Sequence, residues 1–595
     1  MCLSSCSEFI VEEPTTSILN TKSFSTRKGI EANVVGIYSQ MDICVCNSAY
    51  YYYFLNGELF RDWKGNRVGD DWEQSHYMTM FSKSNSNATI YQALFTGINR
   101  CNASIEGVEA CGFDEDFKTE IIAECRFLRA VFYFYAVRLY GDVPLIDFNP
   151  KTSAEMFVKR SPYQKIYRLI MEDLDFAEKH MRTREKQEEV NPDQGRSCNF
   201  AATAIKVMVY AQMACYLESP FDQFFDSTKP GRYPDFSACG IDSPQDAWRA
   251  SLQAAETVIN DPLSPYRLEP DFRNLFRWDP EHHPEDYRSP ERILTMVHTP
   301  KSGENAQCTW ALWKNPYGTL ALTGSASNSG RVRPNRIVWH YWNTYYGGGF
   351  LDPTDVVYTD PTPDPRLPVT YQYNTIEQYS TESLGAMVIN YVYPAVPKGK
   401  VDESHYFRKG YSPAYNVDAG NADYYQLRLA DIYLAAADAA CALGDNQKAI
   451  DYINALHRRA RESVDPGCEP AVEPRDLNVS EFSSREELED RLLWEQLFET
   501  HGEDKEWYLH HRRGARWLIK HVIKPFNEFS SRSECAPVIK TMWLYDRTDS
   551  NGNVRSDIPD DIETVRKCLI CAYPDYELRY NTSLTSADQN EFFLR

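Results

Sequence analysis

The chain runs to 595 residues, beyond the ~250–300 that one hydrophobic core normally serves, so two or more packed lobes are expected. With 43% hydrophobic and 25% charged residues its composition is globular, and a net charge of −22 excludes the basic footprint that a nucleic-acid phosphate partner requires. Aromatic residues make up 13%, including 39 Tyr and 12 Trp, which suits either a large core or a surface that stacks ligands.

The predicted elements follow in chain order. Leu3-Ser4-Ser5-Cys6 has the form of a lipobox, with Cys6 as the residue that would carry lipid. Gly29 to Asn47 reads as a helix. Residues 48–86 read as a loop-rich insertion, with Trp63, Asp71 and Trp72 set among Gly, Asp and Ser. Ile90 to Val108 is a second helix. The third spans 115–140, where Phe127, Leu128, Val131, Phe132, Tyr135 and Leu139 recur at helical spacing and the opposite face is apolar too. Gly141 suits the left-handed position that ends such a helix, and Pro144 forbids its continuation. Its apolar run is about half the ~20 residues of a membrane span and is interrupted by Arg126, Arg129 and Arg138. The residues therefore read as a buried core helix.

Pro162 to Met181 supplies its partner. Ala201 to Leu217, rich in Ala and Met, pairs with Ala247 to Asn260. Tyr425 to Leu443 and Gln447 to Ala460 form the clearest pair, joined at Gly444-Asp445. The run GDNQKAIDY has the look of the turn and second helix of a tetratricopeptide unit, a repeat of ~34 residues that stacks in pairs. Residues 265–420 break the helical pattern. Trp278, Trp310, Trp313, Trp339 and Trp342 fall there, followed by Tyr345-Tyr346-Gly347-Gly348-Gly349, in loop-dominated sequence. Helix returns over 485–517, with Gly502-Glu503-Asp504-Lys505 reading as an insertion.

No nucleophile elbow, zinc-protease, Walker or dinucleotide motif sits in a context that would support it. Glu506 and His510 have a spacing that can hold a metal on one helix face, but no third ligand can be placed and solvent exposure is the expectation. His282-His283 is a second histidine pair. Asp549 to Asn553 mimics the start of an EF-hand, yet Ile558 stands where the closing glutamate should be, so a glycine-containing hairpin turn is expected. Cys568-x-x-Cys571 is a lone pair, and most of the sixteen cysteines read as buried thiols. No catalytic residue, metal or cofactor is expected.

Arg126, Leu128, Arg129, Ala130 and Tyr133, followed by Tyr140-Gly141-Asp142-Val143-Pro144-Leu145, resemble the signature of the SusD/RagB family. Asp364-Pro365-Arg366 resembles a second marker of that family. Glu495, Phe498, Glu499, Gly502, Trp507, Arg512 and Arg513 are similar to its acidic-glycine-aromatic-arginine segment. Pro574, Glu577, Asn581, Leu584, Gln589 and Asn590 are similar to its C-terminal pattern. The resemblance implies a mostly α fold, four degenerate tetratricopeptide-type helix pairs in an α-α superhelix, packed against a loop-rich mixed subdomain. The expected divisions are an anchor and extended segment over 1–28, a helical lobe over 29–264, an aromatic-rich ligand-binding subdomain over 265–420, and a C-terminal helical pair and tail over 421–595. The family consists of outer-membrane lipoproteins that bind glycans at the surface of Bacteroidota and deliver them to a SusC-like TonB-dependent transporter. An oligosaccharide ligand, that transporter, and the outer membrane reached through the lipid on Cys6 are therefore the implied partners. Candidate glycan contacts are Trp63, Asp71 and Trp72 from the insertion, and Trp310, Trp313, Trp342 and Tyr345 from the second region. Peptide capture by the same architecture is the alternative. A cytoplasmic repeat scaffold is a third reading, against which Cys6 argues.

Overall fold

A computed structural model describes residues 23–46, 61–63, 85–190, 195–276, 288–298, 332–334, 336–347, 363–373, 375–383, 386–394, 405–409, 423–525, 562–567 and 569–590. Helices dominate. α1 (Arg27–Cys46) packs on α2 (Asn85–Glu109) and α2 on α3 (Glu115–Tyr140). Between α1 and α2 lies a short strand, β1 (Arg61–Trp63). A two-residue ladder, β2 (Val143–Pro144) with β3 (Arg160–Ser161), carries the chain from α3 into α4 (Tyr163–His180). A short helix α5 (Arg184–Val190) precedes α6 (Asn199–Glu218), and α6 packs on α7 (Pro244–Asn260). The superhelix then continues from α7 onto the C-terminal pair described below, so consecutive helices stack as four pairs. α6 is long and apolar enough to cross a membrane, but most of it is buried against its neighbours, as befits a core helix.

Local chemistry sets these boundaries. Asp114 caps α3 by accepting a hydrogen bond from Phe117 N at 3.0 Å, and Glu115 and Asp116 suit the positive end of the helix dipole. Gly141 ends it at φ +70°, where an added Cβ would lie 2.7 Å from Phe224 and 2.9 Å from Ile570. Ser243 and Pro244 start α7 in the same manner, the Ser243 hydroxyl accepting from Asp246 N.

The middle of the chain supplies β4 (Arg292–Met296), β5 (Val332–Pro334), a helix α8 (Arg336–Tyr346), β6 (Tyr371–Tyr373), the hairpin β7 (Thr375–Ser383) and β8 (Ala386–Pro394), and β9 (His405–Phe407), which pairs with β6. β10 (Tyr424–Arg428) pairs antiparallel with β4 and leads directly into α9 (Leu429–Ala442). The helix read from Tyr425 therefore begins four residues later. Its first residues are a strand buried on both faces, and period counting cannot separate that from a buried helix turn. α9 and α10 (Asn446–Glu462) form the last pair, turning at Gly444 with φ +84° and capped by Asp445 onto Lys448 N. The helix expected over 485–517 is divided. α11 (Arg485–Thr500) and α12 (Glu506–His511) are separated by Gly502 and Asp504, both at positive φ, and Gly514 at φ +90° ends the next turn.

The signature residues of α3 tie this frame together. The Arg129 guanidinium clamps both carboxylate oxygens of Asp173 on α4 at 2.8 Å and also reaches Asn102 on α2. Arg126 adds a 2.6 Å bond to the same carboxylate. Three helices are thus held at one buried aspartate. Tyr133 pins the turn after α3, its hydroxyl accepting from Ile146 N at 2.7 Å and donating back to carbonyls of that turn. Asp142 accepts from Tyr163 N to start α4. At the other end of the chain Gln589 and Asn590 bond the backbone of Tyr573 and Cys571, and Asn590 accepts from Arg160, strapping the tail onto the helical lobe.

Candidate ligand-binding surface

Two stretches distant in sequence meet at one seam. β1, in the first insertion, pairs antiparallel with β5, with Arg61 opposite Pro334 and Trp63 opposite Val332. One residue after β5, α8 begins. The seam therefore joins the aromatic-rich insertion to the longest helix among the described residues of the aromatic-rich second region, over sequence separations that only tertiary structure can close.

α8 divides cleanly by face. Ile337, Val338, Trp342, Asn343 and Tyr346 are buried, whereas His340, Tyr341, Thr344 and Tyr345 are partly or fully exposed. Trp342, expected as a glycan platform, is a core residue. It is 0% exposed, it stacks on Phe498 of α11 with ring centroids 4.8 Å apart, and its indole N–H donates to Asp364 Oδ2 at 2.8 Å. The residues around it read as loop, but they are a helix whose apolar positions recur three and four apart. That same spacing in Ile337, Tyr341 and Tyr345 is the signal by which Tyr341, absent from the sequence-based candidates, could have been found. Tyr345 is half-buried on the rim, with the Arg491 guanidinium 3.8 Å from its ring centroid. Tyr341 stacks on Trp494 at 3.9 Å. Trp63 lies in β1, and its backbone is placed at the seam. Asp71, Trp72, Trp310, Trp313 and Cys6 lie outside the described residues.

Beneath α8 sits a dense ionic layer that fixes its position. Asp364 accepts from Trp342 and from the backbone and guanidinium of Arg366. Arg366 extends to Glu495 and Glu499 of α11 at 3.6 and 3.5 Å. Glu495 also takes His457 at 2.8 Å, Arg491 at 2.8 Å and the Tyr346 hydroxyl. Glu499 and Glu503 receive Arg428 at 2.9 and 2.8 Å, and Lys409 bonds Glu503 at 2.8 Å. Burial alone would raise these carboxyls. The surrounding guanidiniums and His457 overrule it, holding Glu495 and Glu503 far below the usual range and Glu499 at about 2. Burial wins for Lys409, whose ammonium falls to about 8 despite Glu503. The segment Gly502–Lys505, read as an insertion, is thus a structural insert: Glu503 links β10 to the second region, and Lys505 pairs with Asp431 at the start of α9. The Asp364-Pro365-Arg366 marker and the Glu495/Glu499 segment are two halves of one buried network.

Glu506 and His510, expected to be exposed to solvent, are instead buried. His510 and His511 are buried, the His510 imidazole is pushed down to about 4, and no group of three His, Cys, Asp or Glu side chains among the described residues could hold an ion. Cys571 is a buried thiol. Cys568, His282, His283 and Asp549–Asn553 lie outside the described residues.

A superhelix of helix pairs carrying an irregular, aromatic-rich subdomain is the architecture of a repeat-type binding protein. Comparison with known proteins gives the family. The model of the SusD family matches residues 298–510, and a model described as "Starch-binding associating with outer membrane" matches residues 25–206. A SusD-like protein of Formosa agariphila is 24% identical over 522 residues, covering 85% of this chain and 88% of the relative. The crystal structure of a SusD homologue from Bacteroides thetaiotaomicron superposes with a TM-score of 0.63 at 16% identity, covering 95% of this chain and 97% of that one. A laminarin-binding SusD-like protein superposes with a TM-score of 0.60 at 17% identity, covering 95% and 99%. The chain belongs to the SusD-like family.

Proposed function

We propose that this protein binds an oligosaccharide at the outer surface of the cell and hands it to a TonB-dependent transporter in the outer membrane. The observation that carries the reading is the β1–β5 seam, whose backbone pairing brings the first insertion to the segment that leads into α8, and so supports a rim built from the aromatic residues of both regions. The laminarin-binding relative supports a glycan ligand, and the description of the N-terminal family model supports the outer membrane. In this reading sugar rings lie on the faces of Tyr345, Tyr341, Trp63, Trp72, Trp310 and Trp313, with Asp71 and neighbouring polar groups taking hydroxyls. Trp342 acts from below by holding α8. No bond in the ligand is broken and no cofactor takes part. Residues 29–264 and 421–595 form the helical lobe, 265–420 the ligand-binding subdomain, and 1–28 the anchor, lipidated at Cys6.

A calorimetric screen of neutral and acidic oligosaccharides against protein lacking the anchor tests the first half. Trp63→Ala and Tyr345→Ala together should weaken the best ligand about tenfold or more, each stacking contact contributing roughly 0.5–1.5 kcal/mol beyond area burial. Wild-type affinity in that double variant refutes the site. Gentle detergent extraction tests the second half: the full-length protein should co-purify with a β-barrel transporter, and Cys6→Ala should release it from the outer membrane. Recovery of the unmutated protein without lipid and alone, at several salt concentrations, would sink the delivery role.

A further inference from the structure

Buried arginines in this fold are matched with care. Arg129, Arg182, Arg196, Arg366, Arg428, Arg459, Arg491, Arg512 and Arg566 each donate side-chain hydrogen bonds to a carboxylate, hydroxyl or carbonyl. Arg292, at the start of β4, is the exception among the described residues. It is 7% exposed, its Nη1 is buried without a partner, and its nearest carboxylate, Glu188, stands 3.6 Å from Nη2, outside hydrogen-bond range.

A second guanidinium shares that carboxylate. Arg184 of α5 donates to the Arg292 backbone carbonyl at 3.3 Å, and its Nη1 is 3.9 Å from the same Glu188 oxygen, so the two guanidiniums flank one carboxylate. Glu188 itself is half in solvent, 52% exposed. One turn along α5 from Arg184, Gln187 is buried with both its amide nitrogen and its amide oxygen unmatched. Two guanidiniums thus flank one loosely held carboxylate, with an unmatched carboxamide one helical turn from Arg184; Asp423 also acts on Arg292, and Tyr266 on Arg184. Burial first, and then the adjacent Arg184 and Arg288, lower the Arg292 guanidinium to about 10 against the opposing pull of Glu188 and Asp423. Across the ladder Arg428, opposite Arg292 in register, is bonded by three carboxylates, Glu291, Glu499 and Glu503, which it shares with Arg459, Arg366, Lys409 and Lys505. One arginine of this pair is therefore hydrogen-bonded by three carboxylates, whereas the other has no carboxylate of the described residues within hydrogen-bond range.

We propose that Arg184, Gln187 and Arg292 form an oxyanion-binding site, closed by Glu188, that takes a sulfate or carboxylate group. Two guanidiniums that flank one carboxylate present N–H donors to such a group, which can approach both at hydrogen-bond distance where the tethered Glu188 does not. Binding displaces Glu188 into water. The site lies on α5 and β4 and does not depend on the aromatic rim, so it stands whether or not the glycan reading does.

The test uses the anchor-free protein with three variants, Arg292→Met, Glu188→Gln and Arg184→Met. Each is titrated with sodium sulfate against sodium chloride at matched ionic strength, reading the melting temperature and calorimetric binding. Wild type should show saturable sulfate binding beyond the chloride control. Glu188→Gln should bind about tenfold more tightly, because the competing carboxylate is gone. Arg292→Met and Arg184→Met should lose the saturable response, and Arg292→Met should melt no lower than wild type since it removes an unmatched buried charge. Glucose 6-sulfate and glucuronate, with glucose as control, then separate a sulfate ester from a uronic carboxylate as the natural group. A response that survives in Arg292→Met, or no saturable response in either wild type or Glu188→Gln, overturns the proposal.

Discussion

Glu499 tests whether the ionic layer under α8 holds the subdomain in place. Its carboxylate receives Arg428 at 2.9 Å and Arg459 more closely still, with Arg366 at 3.5 Å, and it is 0% exposed. Glu499→Gln keeps the shape and removes the charge, leaving three guanidiniums short of one partner. Breaking a buried pair in this way costs about 3–5 kcal/mol. The titration gives a separate route to the magnitude. Lowering the carboxyl from 4.5 to about 2 corresponds to about 3 kcal/mol of stabilisation of the folded state. Because the folded value is the depressed one, that contribution is complete above about pH 5 and fades as pH falls toward 2. Urea unfolding of wild type and Glu499→Gln at pH 7, 5, 4 and 3 should therefore show a gap of about 3–5 kcal/mol at pH 7 that narrows at the acid end, where the wild-type residue also becomes neutral. Equal midpoints at pH 7, or a gap that does not change with pH, would refute the reasoning.

Trp342→Ala should cost about 3–5 kcal/mol of stability, seen as a lower melting temperature, because it empties a closed pocket and strips a donor from Asp364; unchanged melting with lost glycan binding would return Trp342 to the ligand surface. Gly444→Val should destabilise by about 1–3 kcal/mol by conformational strain alone, since φ is +84° and no atom lies within 4 Å of an added Cβ; an unchanged urea midpoint would disprove the strain. Asp173→Asn should cost about 3–5 kcal/mol by leaving Arg126 and Arg129 with a weakened partner, and amide exchange in α2, α3 and α4 should rise together if one aspartate ties all three.

The helices were legible because their signals are local. Gly141 ends α3 at the residue expected from capping chemistry, and Gly444-Asp445 marks the last turn for the same reason. Where the reading failed, the deciding interactions were remote. Nothing near Trp342 in sequence reveals Asp364 or Phe498, so a tryptophan in glycine-rich surroundings read as exposed. Nothing near His510 shows that its helix is buried on every side. Tyr424–Arg428 is a strand because β4, about 130 residues away, pairs with it. Gly502–Lys505 looked like an insertion on a surface, yet Glu503 reaches Arg428 and Lys409 across the domain. Net charge of −22 told nothing of where individual charges sit: the buried carboxylates of the described residues are offset by buried arginines and lysines, so the acidic excess is not theirs.

The residues that betrayed the family and those that would choose a ligand are different sets, for a physical reason. Arg126, Arg129 and Tyr133 bind helices and a turn; Asp142 starts α4; Asp364, Arg366, Glu495 and Glu499 interlock beneath α8; Asn590 and Gln589 fasten the tail. Each satisfies a buried partner whose own position is fixed, so substitution at either end strands a charge or a donor away from water. Such residues must recur wherever the frame recurs. A sugar ring stacked on an exposed rim imposes no such demand: any aromatic at roughly the right place serves, and removing one costs affinity but not the fold. The frame is therefore written in motifs and the ligand is not, which is why Tyr341 was missed and the seam at β1–β5 had to be found in space.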